Sequence, residues 1–471
     1  MNRSEQLAKN TVILSIGVFL PKLASFITLP ILTGYLTKVE YGTYDLVIVL
    51  VSLLLPSVTL QIKAAAFRYL IDVRGDENKQ REIVTNIYAF TIPISIVTLC
   101  LLFFVLGGID LRIKAWVCVY YLVDILVGTA RQIARGLSHN LEYAISAIVS
   151  AVGKMLFAII FVRVLGYGLY GAIIALSAAS LFSFIYLIIR IHLGSLVQYT
   201  LINKQTIKTL LLYSWPLVPN ELSQWVMRVS DRFVVTAFLG VSANAVYAVA
   251  NKIPSIITLA QSALTLSWQE NASIASRDAD ADRYYSSMFH VMLKIQAGFL
   301  CFVLGATPIL FSVLIRGDYQ KAYNQMPILA LSIFYASMAT YLGGIYVAYK
   351  ASKSVGITTT VAALVNLIVD IGLINAIGIY AASISTLVSY LLLCAYRMKD
   401  VHKLVTLKYN KNEIAVSHLL MIVVFVVYYL DGFLWKSVNL VLGSVVFFLL
   451  NKNTIQVIVK RVITKATEHK E

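Results

Sequence analysis

The chain has 471 residues, of which 59% are hydrophobic and 13% charged, with a mean hydropathy of +0.79. Soluble globular domains carry about 25% charged residues, so this composition excludes them and requires an all-α integral membrane protein with many spans. The formal net charge of +16 reads as a membrane-topology signal, not as a nucleic-acid surface, because most of the bases lie between long apolar runs.

A helix needs about 20 mostly apolar residues to cross the hydrocarbon core, and 14 stretches approach or exceed that length. The first, 10–32, is longer than a signal-peptide core and lacks a small-residue cleavage pattern, so it is a retained span with Lys22 deep inside it beside Pro21. The second, 43–71, carries Asp45, Lys63 and Arg68, whereas the third, 83–107, has no charge. The fourth, 114–134, holds Asp124 centrally and Arg131 near its end, and the fifth, 144–164, holds Lys154. The sixth, 169–191, is apolar up to its terminal Arg190.

The seventh span, 210–239, contains "WPLVPNELSQWVMRVSDRFVV", with Glu221, Arg228, Asp231 and Arg232 after Pro216 and Pro219. At about 100° per residue, Glu221, Trp225, Arg228 and Arg232 share a sector about 60° wide, and Asp231 can pair with Arg228 at i, i+3. Both prolines should kink or loosen the helix. The eighth span, 244–268, carries Lys252 beside Asn251 and Pro254; the ninth, 284–315, carries Lys294. After 324–349 comes 354–373, with Asp370 one turn beyond Asn366, then 379–396, 413–431 and the short 437–450.

With the N-terminus inside, and residues at helix ends counted with their loops, inner segments hold 23 Lys/Arg and outer loops 7. That excess satisfies the positive-inside rule and places both termini in the cytoplasm. The inner basic face can also touch anionic membrane lipid. Cys100, Cys118, Cys301 and Cys394 lie in apolar runs without CxxC spacing, which fits packing and offers no metal site.

Two windows echo one another at an offset of 203 residues: "TGYLTKVEYGTYDLV" from Thr33 and "TAFLGVSANAVYAVA" from Thr236. Each joins the first and second spans of a six-span block. Six is even, so the blocks enter the membrane in the same orientation and form two lobes related by a parallel pseudo-two-fold along the membrane normal. The expected division is lobe 1–191, cytoplasmic linker 192–209, lobe 210–400, and accessory helices 13 and 14 with a cytoplasmic tail in 401–471.

A charge at the bilayer centre costs at least about 2.5–3.5 kcal/mol on insertion scales, so these groups should face protein or water. The spans hold nine bases (Lys22, Lys63, Arg68, Arg131, Lys154, Arg228, Arg232, Lys252, Lys294) against five acids (Asp45, Asp124, Glu221, Asp231, Asp370). A cationic wet interior suits an anionic cargo such as a phosphate or pyrophosphate. Lys22, Lys154, Arg228, Arg232 and Lys252 are the expected cargo-binding bases. Lys63, Arg68, Arg131 and Lys294 lie nearer the cytoplasmic ends, where they either line the approach or snorkel to the interface. Glu221, Asp231, Asp370 and Asp124 are supporting or ion-coupling groups. No cofactor is expected; coupling to a proton or sodium gradient is the expectation for the carboxylates.

The segments "LLYSWPLVPNEL", "SDRFVVTAFLG" and "NAVYAVANKIP", together with "LPKLASFITLPILTGYLTKVEYGTYDL", resemble bacterial O-antigen and capsule flippases. These are the polysaccharide-transporter branch of the multidrug/oligosaccharidyl-lipid/polysaccharide exporter superfamily. The resemblance implies a two-lobed transporter of 12 or 14 helices in the bacterial cytoplasmic membrane. It also implies an undecaprenyl-pyrophosphate-linked oligosaccharide as cargo, and a polymerase and a chain-length regulator of the same pathway as partners. Asp231, Arg232 and Lys252 match recurrent charged positions of the pattern. Rival readings are a cation-coupled multidrug exporter and a peptidoglycan-precursor flippase on the same fold. A polysaccharide polymerase wants a large outer loop and an acyltransferase a mid-span His; neither is present in the sequence.

Overall fold

The computed structural model describes residues 3–106, 110–276, 278–349 and 351–468, and every regular element among them is helical. Two compact units emerge from spatial proximity, each described in turn. The first comprises Met1–Val229, Gly240–Ala245 and Leu314–Gly317. Its helices are α1 (Arg3–Tyr35), α2 (Lys38–Val58), α3 (Ile62–Asp72), α4 (Glu77–Val105), α5 (Leu111–Gly136), α6 (Asn140–Ala158), α7 (Gly168–Arg190), α8 (Lys204–Ser214) and α9 (Val218–Val229).

Local chemistry sets several of these starts. "TKVE" is a capping box: the Glu40 amide donates to Thr37 Oγ1 at 3.2 Å, and the Thr37 amide donates back to Glu40 Oε2 at 2.9 Å. The same carboxylate accepts from the Leu169 amide at 3.2 Å, tying α2 to the start of α7. Gly168 lies there at φ +53°, and a Cβ would sit 2.5 Å from Glu40 Oε1, so glycine is required twice over. Asp76 and Asp110 cap α4 and α5 through the carboxylate alone, which accepts from the Lys79 amide in α4 and from the Arg112 and Ile113 amides in α5.

In lipid the helices gain little from hydrophobicity against one another, and small residues that allow close approach take over. Ala65, Ala66, Ala130 and Ala134 are fully buried where α3 meets α5, and Tyr121, Ile125 and Ile173 fill the space between α5 and α7. The 192–209 segment is a docked strap, not a slack linker. Asn86 donates to Leu201 O (2.9 Å) and accepts from the Asn203 amide (2.7 Å), while the Gln198 amide donates to Thr85 Oγ1 (2.9 Å). Proximity also groups α8 with α3 and α4, and α9 with α2, although the sequence repeat gives both to the second lobe.

The second unit comprises Ser230–Leu239, Val246–Val313 and Asp318–Glu471. It holds α10 (Asp231–Leu239), most of α11 (Val241–Ala250), α12 (Ser255–Ala275), α13 (Ala281–Leu314), α14 (Gln320–Tyr323), α15 (Met326–Ala348), α16 (Ser352–Ile377), α17 (Tyr380–Asp400), α18 (Lys411–Tyr428) and α19 (Phe433–Glu468).

Among the described residues, 11 helices are long and apolar enough to cross a membrane, and the chain is a multi-pass membrane protein. The three remaining expected spans are shorter or broken. Span 1 is represented by the apolar Phe19–Tyr35; span 7 by α8, a 3₁₀ turn at Trp215–Leu217, α9 and α10; span 8 by α11 and α12. The short span 14 is longer than its apolar run: Phe433–Gln456 has 24 residues, about 36 Å at 1.5 Å per residue.

The accessory helices are attached by close contact and by charge. A Cβ on Gly443 of α19 would lie 2.3 Å from Cys301 O of α13, and one on Gly305 of α13 would lie 2.6 Å from Asn439 O of α19. At the start of α18, Glu413 Oε2 meets Lys294 Nζ at 3.0 Å and His290 Nδ1 at 3.2 Å, both on α13. We expect Gly443→Leu to detach α19 from α13 and destabilise the protein by about 1–3 kcal/mol. Thermal unfolding in detergent checks it, and an unchanged midpoint would show that α19 is not held there.

Candidate functional site

Helix breaks fall where the intramembrane charges lie. Span 2 breaks between α2 and α3, where Leu60 and Gln61 adopt left-handed φ values of 46° and 55°, and Lys63 follows at once. Non-glycine residues rarely take that conformation, so the break is enforced by its surroundings. Span 8 breaks at the turn 251–254, which contains Lys252 and Pro254. Span 7 breaks at Ser230, between α9 and α10, with Arg228 and Asp231 on either side. Span 5 ends in a π-helical stretch, Ile159–Val164, five residues beyond Lys154. Interrupted helices leave backbone groups to be satisfied at membrane depth, an arrangement tolerated only where protein or a polar cavity receives them.

In the first unit α5 carries Asp124 and Arg131, α3 carries Lys63, α6 carries Lys154 and α9 carries Glu221, and α5 packs against both α3 and α6. Arg131 of α5 turns inward: Nε donates to Ser146 Oγ at 3.0 Å, and Nη2 donates to Ser146 O at 3.1 Å and Ser183 Oγ at 3.0 Å. It does not snorkel. Asp124 Oδ1 accepts from Ser180 Oγ at 3.4 Å. Lys63 and Lys154 are half-buried, and among the described residues neither ammonium makes a hydrogen bond or ion pair. The charges that act on them are Glu221 and Asp124 for Lys63, and Asp124 and Arg131 for Lys154. Helix α9 is fixed in the same unit by Trp225 Nε1, which donates to Ser52 Oγ at 3.0 Å.

The remaining approach residues, Arg68 and Lys294, and the remaining cargo residues, Lys22, Arg228, Arg232 and Lys252, are placed differently. Arg68 is exposed and paired with Asp72 on its own helix. Arg228 is exposed, with Nε donating to Gln224 O at 3.1 Å in place of the expected bond to Asp231. Lys294 is held by Glu413. Lys22 is half-buried on α1. Arg232 on α10 and Lys252 in the α11–α12 turn are half-buried in the second unit. Of the five expected cargo-binding bases, Lys22, Lys154 and Arg228 belong to the first unit and Arg232 and Lys252 to the second.

The second unit holds a buried acidic pair. Asp231 is 1% exposed, and its Oδ2 accepts from Tyr247 OH and Thr386 Oγ1, each at 2.7 Å. With its amide turned to satisfy both atoms, Asn366 donates to Asp231 Oδ1 at 3.0 Å. Asp370 is one helical turn from Asn366 on α16 and fully buried, and neither carboxylate oxygen has a hydrogen-bond partner among the described residues. Although Asn366 lies one turn from Asp370 on the same helix, its amide serves Asp231.

Sequence reasoning missed Arg397, counted as a cytoplasmic loop base. It is 4% exposed in α17 and donates to Ala339 O (2.8 Å), Val355 O (3.2 Å), Thr358 Oγ1 (2.9 Å) and Thr359 Oγ1 (3.0 Å). It bolts α15, α16 and α17 together without a carboxylate. Nothing in its sequence context separates it from Lys399 and Lys403. All four cysteines are free, and among the described residues no cluster of His, Cys, Asp and Glu could hold a metal ion.

Many membrane-crossing helices, several broken beside charge, define a polytopic all-helical membrane fold, and known structures share it. The lipid II flippase MurJ in an inward closed conformation matches at TM-score 0.71 and 14% identity, over 95% of this chain and 100% of that one. An inward-facing multidrug resistance MATE family transporter of the MOP superfamily matches at TM-score 0.70 and 10% identity, over 83% and 98%. A MOP superfamily transporter from Pyrococcus furiosus matches at 0.59 and 12%, over 84% and 95%. No curated protein matches the sequence. The family model described as "Polysaccharide biosynthesis protein" matches residues 7–268, more than half of the chain, and the chain belongs to that family.

Proposed function

We propose that this protein is a flippase. It carries an undecaprenyl-pyrophosphate-linked oligosaccharide from the inner to the outer leaflet of the bacterial cytoplasmic membrane by alternating access. The reading rests above all on Lys63 and Lys154, two half-buried ammonium groups with no ion pair or hydrogen bond among the described residues. A base at membrane depth is costly unless an anion answers it. Arg131 adds a third positive group, and Asp124 and Glu221 offset two of the three charges, which leaves a site able to hold a phosphate and also release it.

The acidic pair supplies the coupling. A carboxylate as buried as Asp370, with no hydrogen-bond donor among the described residues, needs a proton or a cation. We assign it to a proton or sodium ion driven down its gradient. Membership in a polysaccharide biosynthesis family favours a glycan-bearing cargo over a drug.

The test is transport by the purified protein in sealed vesicles. We expect transfer of a fluorescent polyprenyl-pyrophosphate oligosaccharide across the bilayer and no transport of a cationic dye. Dye transport without lipid transfer would establish the exporter in its place. Transfer of a peptidoglycan precursor at the same rate would remove the glycan specificity.

A further inference from the structure

Along α5, Asp124, Gly128 and Arg131 are four and seven residues apart and share one face. Gly128 is half-buried, and a Cβ built on it would meet nothing within 4 Å. Other helical glycines of the same unit lie against neighbours. A Cβ on Gly136 would come 2.7 Å from Leu70, and one on Gly171 would come 2.7 Å from Phe161 O. Glycine weakens a helix interior, and at Gly128 no close approach of another helix repays it. Protein interiors are close-packed, so open space before a bare helical turn, flanked by a carboxylate and a guanidinium, is a place for a ligand.

The helices that carry the neighbouring bases pack against α5: α3, with Lys63, meets it at Gly136 through Leu70 and shares a core cluster through Ile62 and Val127, and α6, with Lys154, meets it where Ser146 binds Arg131. Arg131 is oriented through Nε and Nη2 by Ser146 and Ser183, which leaves Nη1 without a hydrogen-bond partner among the described residues. The oriented guanidinium thus retains unused donors of the kind that bind phosphate.

We propose that the Gly128 turn of α5 is the floor of a phosphoryl seat within the first unit. The phosphoryl oxygens rest over the bare backbone, Lys63 and Lys154 close on them, and Arg131 donates from one end. Asp124, at the other end, is the resident counter-charge that the phosphate displaces. This rests on the flippase reading and adds where the cargo's head group lies.

The test uses the full chain in lipid nanodiscs, with inorganic pyrophosphate and a short polyprenyl pyrophosphate as probes in calorimetric titration. Gly128→Ala should fold at least as well as the wild type, because its methyl group meets only open space, and should bind a few-fold more weakly. Gly128→Leu fills the seat and should weaken binding about 100-fold or more, a loss of about two charge-assisted hydrogen bonds. If the wild type binds pyrophosphate and Gly128→Leu binds it equally well, the seat is overturned while the flippase reading stands. If Gly128→Leu fails to assemble, the space is not open and the seat is again overturned. If the wild type binds neither probe, the flippase reading falls and takes the seat with it. The polyprenyl probe should bind at least about tenfold tighter than pyrophosphate; equal affinity would overturn a lipid-linked occupant in favour of free phosphate.

Discussion

Replacing Lys63 and Lys154 together by methionine is expected to abolish lipid transfer and at the same time raise thermal stability. Both ammonium groups are half-buried without a hydrogen bond or ion pair among the described residues, so Glu221 and Asp124 offset only part of their desolvation. Methionine keeps the apolar stem that packs and removes only the charge. Each charge-assisted bond to a phosphate is worth about 1.5–3 kcal/mol, so each single variant should lose about 10- to 100-fold in transfer rate and the double variant about 10²- to 10⁴-fold. A purely structural role predicts the reverse on both axes, with stability falling and transfer following it. Transfer at the wild-type rate by the double variant would remove the phosphate reading.

Asp370→Asn should break the link between transport and the ion gradient. In vesicles with an imposed proton or sodium gradient, we expect the wild type to transfer lipid faster than without it, and Asp370→Asn to show the same rate in both conditions. The two carboxylates should also separate in stability. Asp231 accepts from Tyr247, Thr386 and Asn366, so Asp231→Ala strands buried donors and should cost about 3 kcal/mol or more. Asp370 has no donor among the described residues, so Asp370→Asn removes an uncompensated charge and should leave stability equal or higher. A gradient-dependent Asp370→Asn protein would place the coupling elsewhere.

Much of the membrane plan was legible because hydropathy and span length are one-dimensional properties. The 14 expected stretches correspond to 11 long apolar helices, the shorter Phe19–Tyr35 and two broken spans, and the capping box at Thr37–Glu40 is written in "TKVE". Prolines in "WPLVPN" announced the disruption of span 7, and its 3₁₀ turn lies at Trp215–Leu217. The break in span 2 has no such signal, since Leu60 and Gln61 take left-handed angles that neither residue favours.

Charge pairing was less legible. A helical wheel places residues of one helix on a face, but it cannot say which other helix stands opposite. Arg228 and Asp231 are three residues apart and looked like partners, yet Asp231 turns to Tyr247 and Thr386, 16 and 155 residues away. Arg131 finds Ser183, 52 residues on, and Arg397 finds Thr358, 39 residues back.

By itself the sequence determined that this is an all-helical membrane protein, where the apolar stretches lie, and that its interior carries more bases than acids. Those follow from composition and from the cost of placing polar groups in hydrocarbon, which act residue by residue. Only the tertiary structure decided which buried charges are satisfied and which are left open. Satisfaction depends on donors brought from distant helices, and on open space such as that before Gly128, which no single stretch of chain encodes.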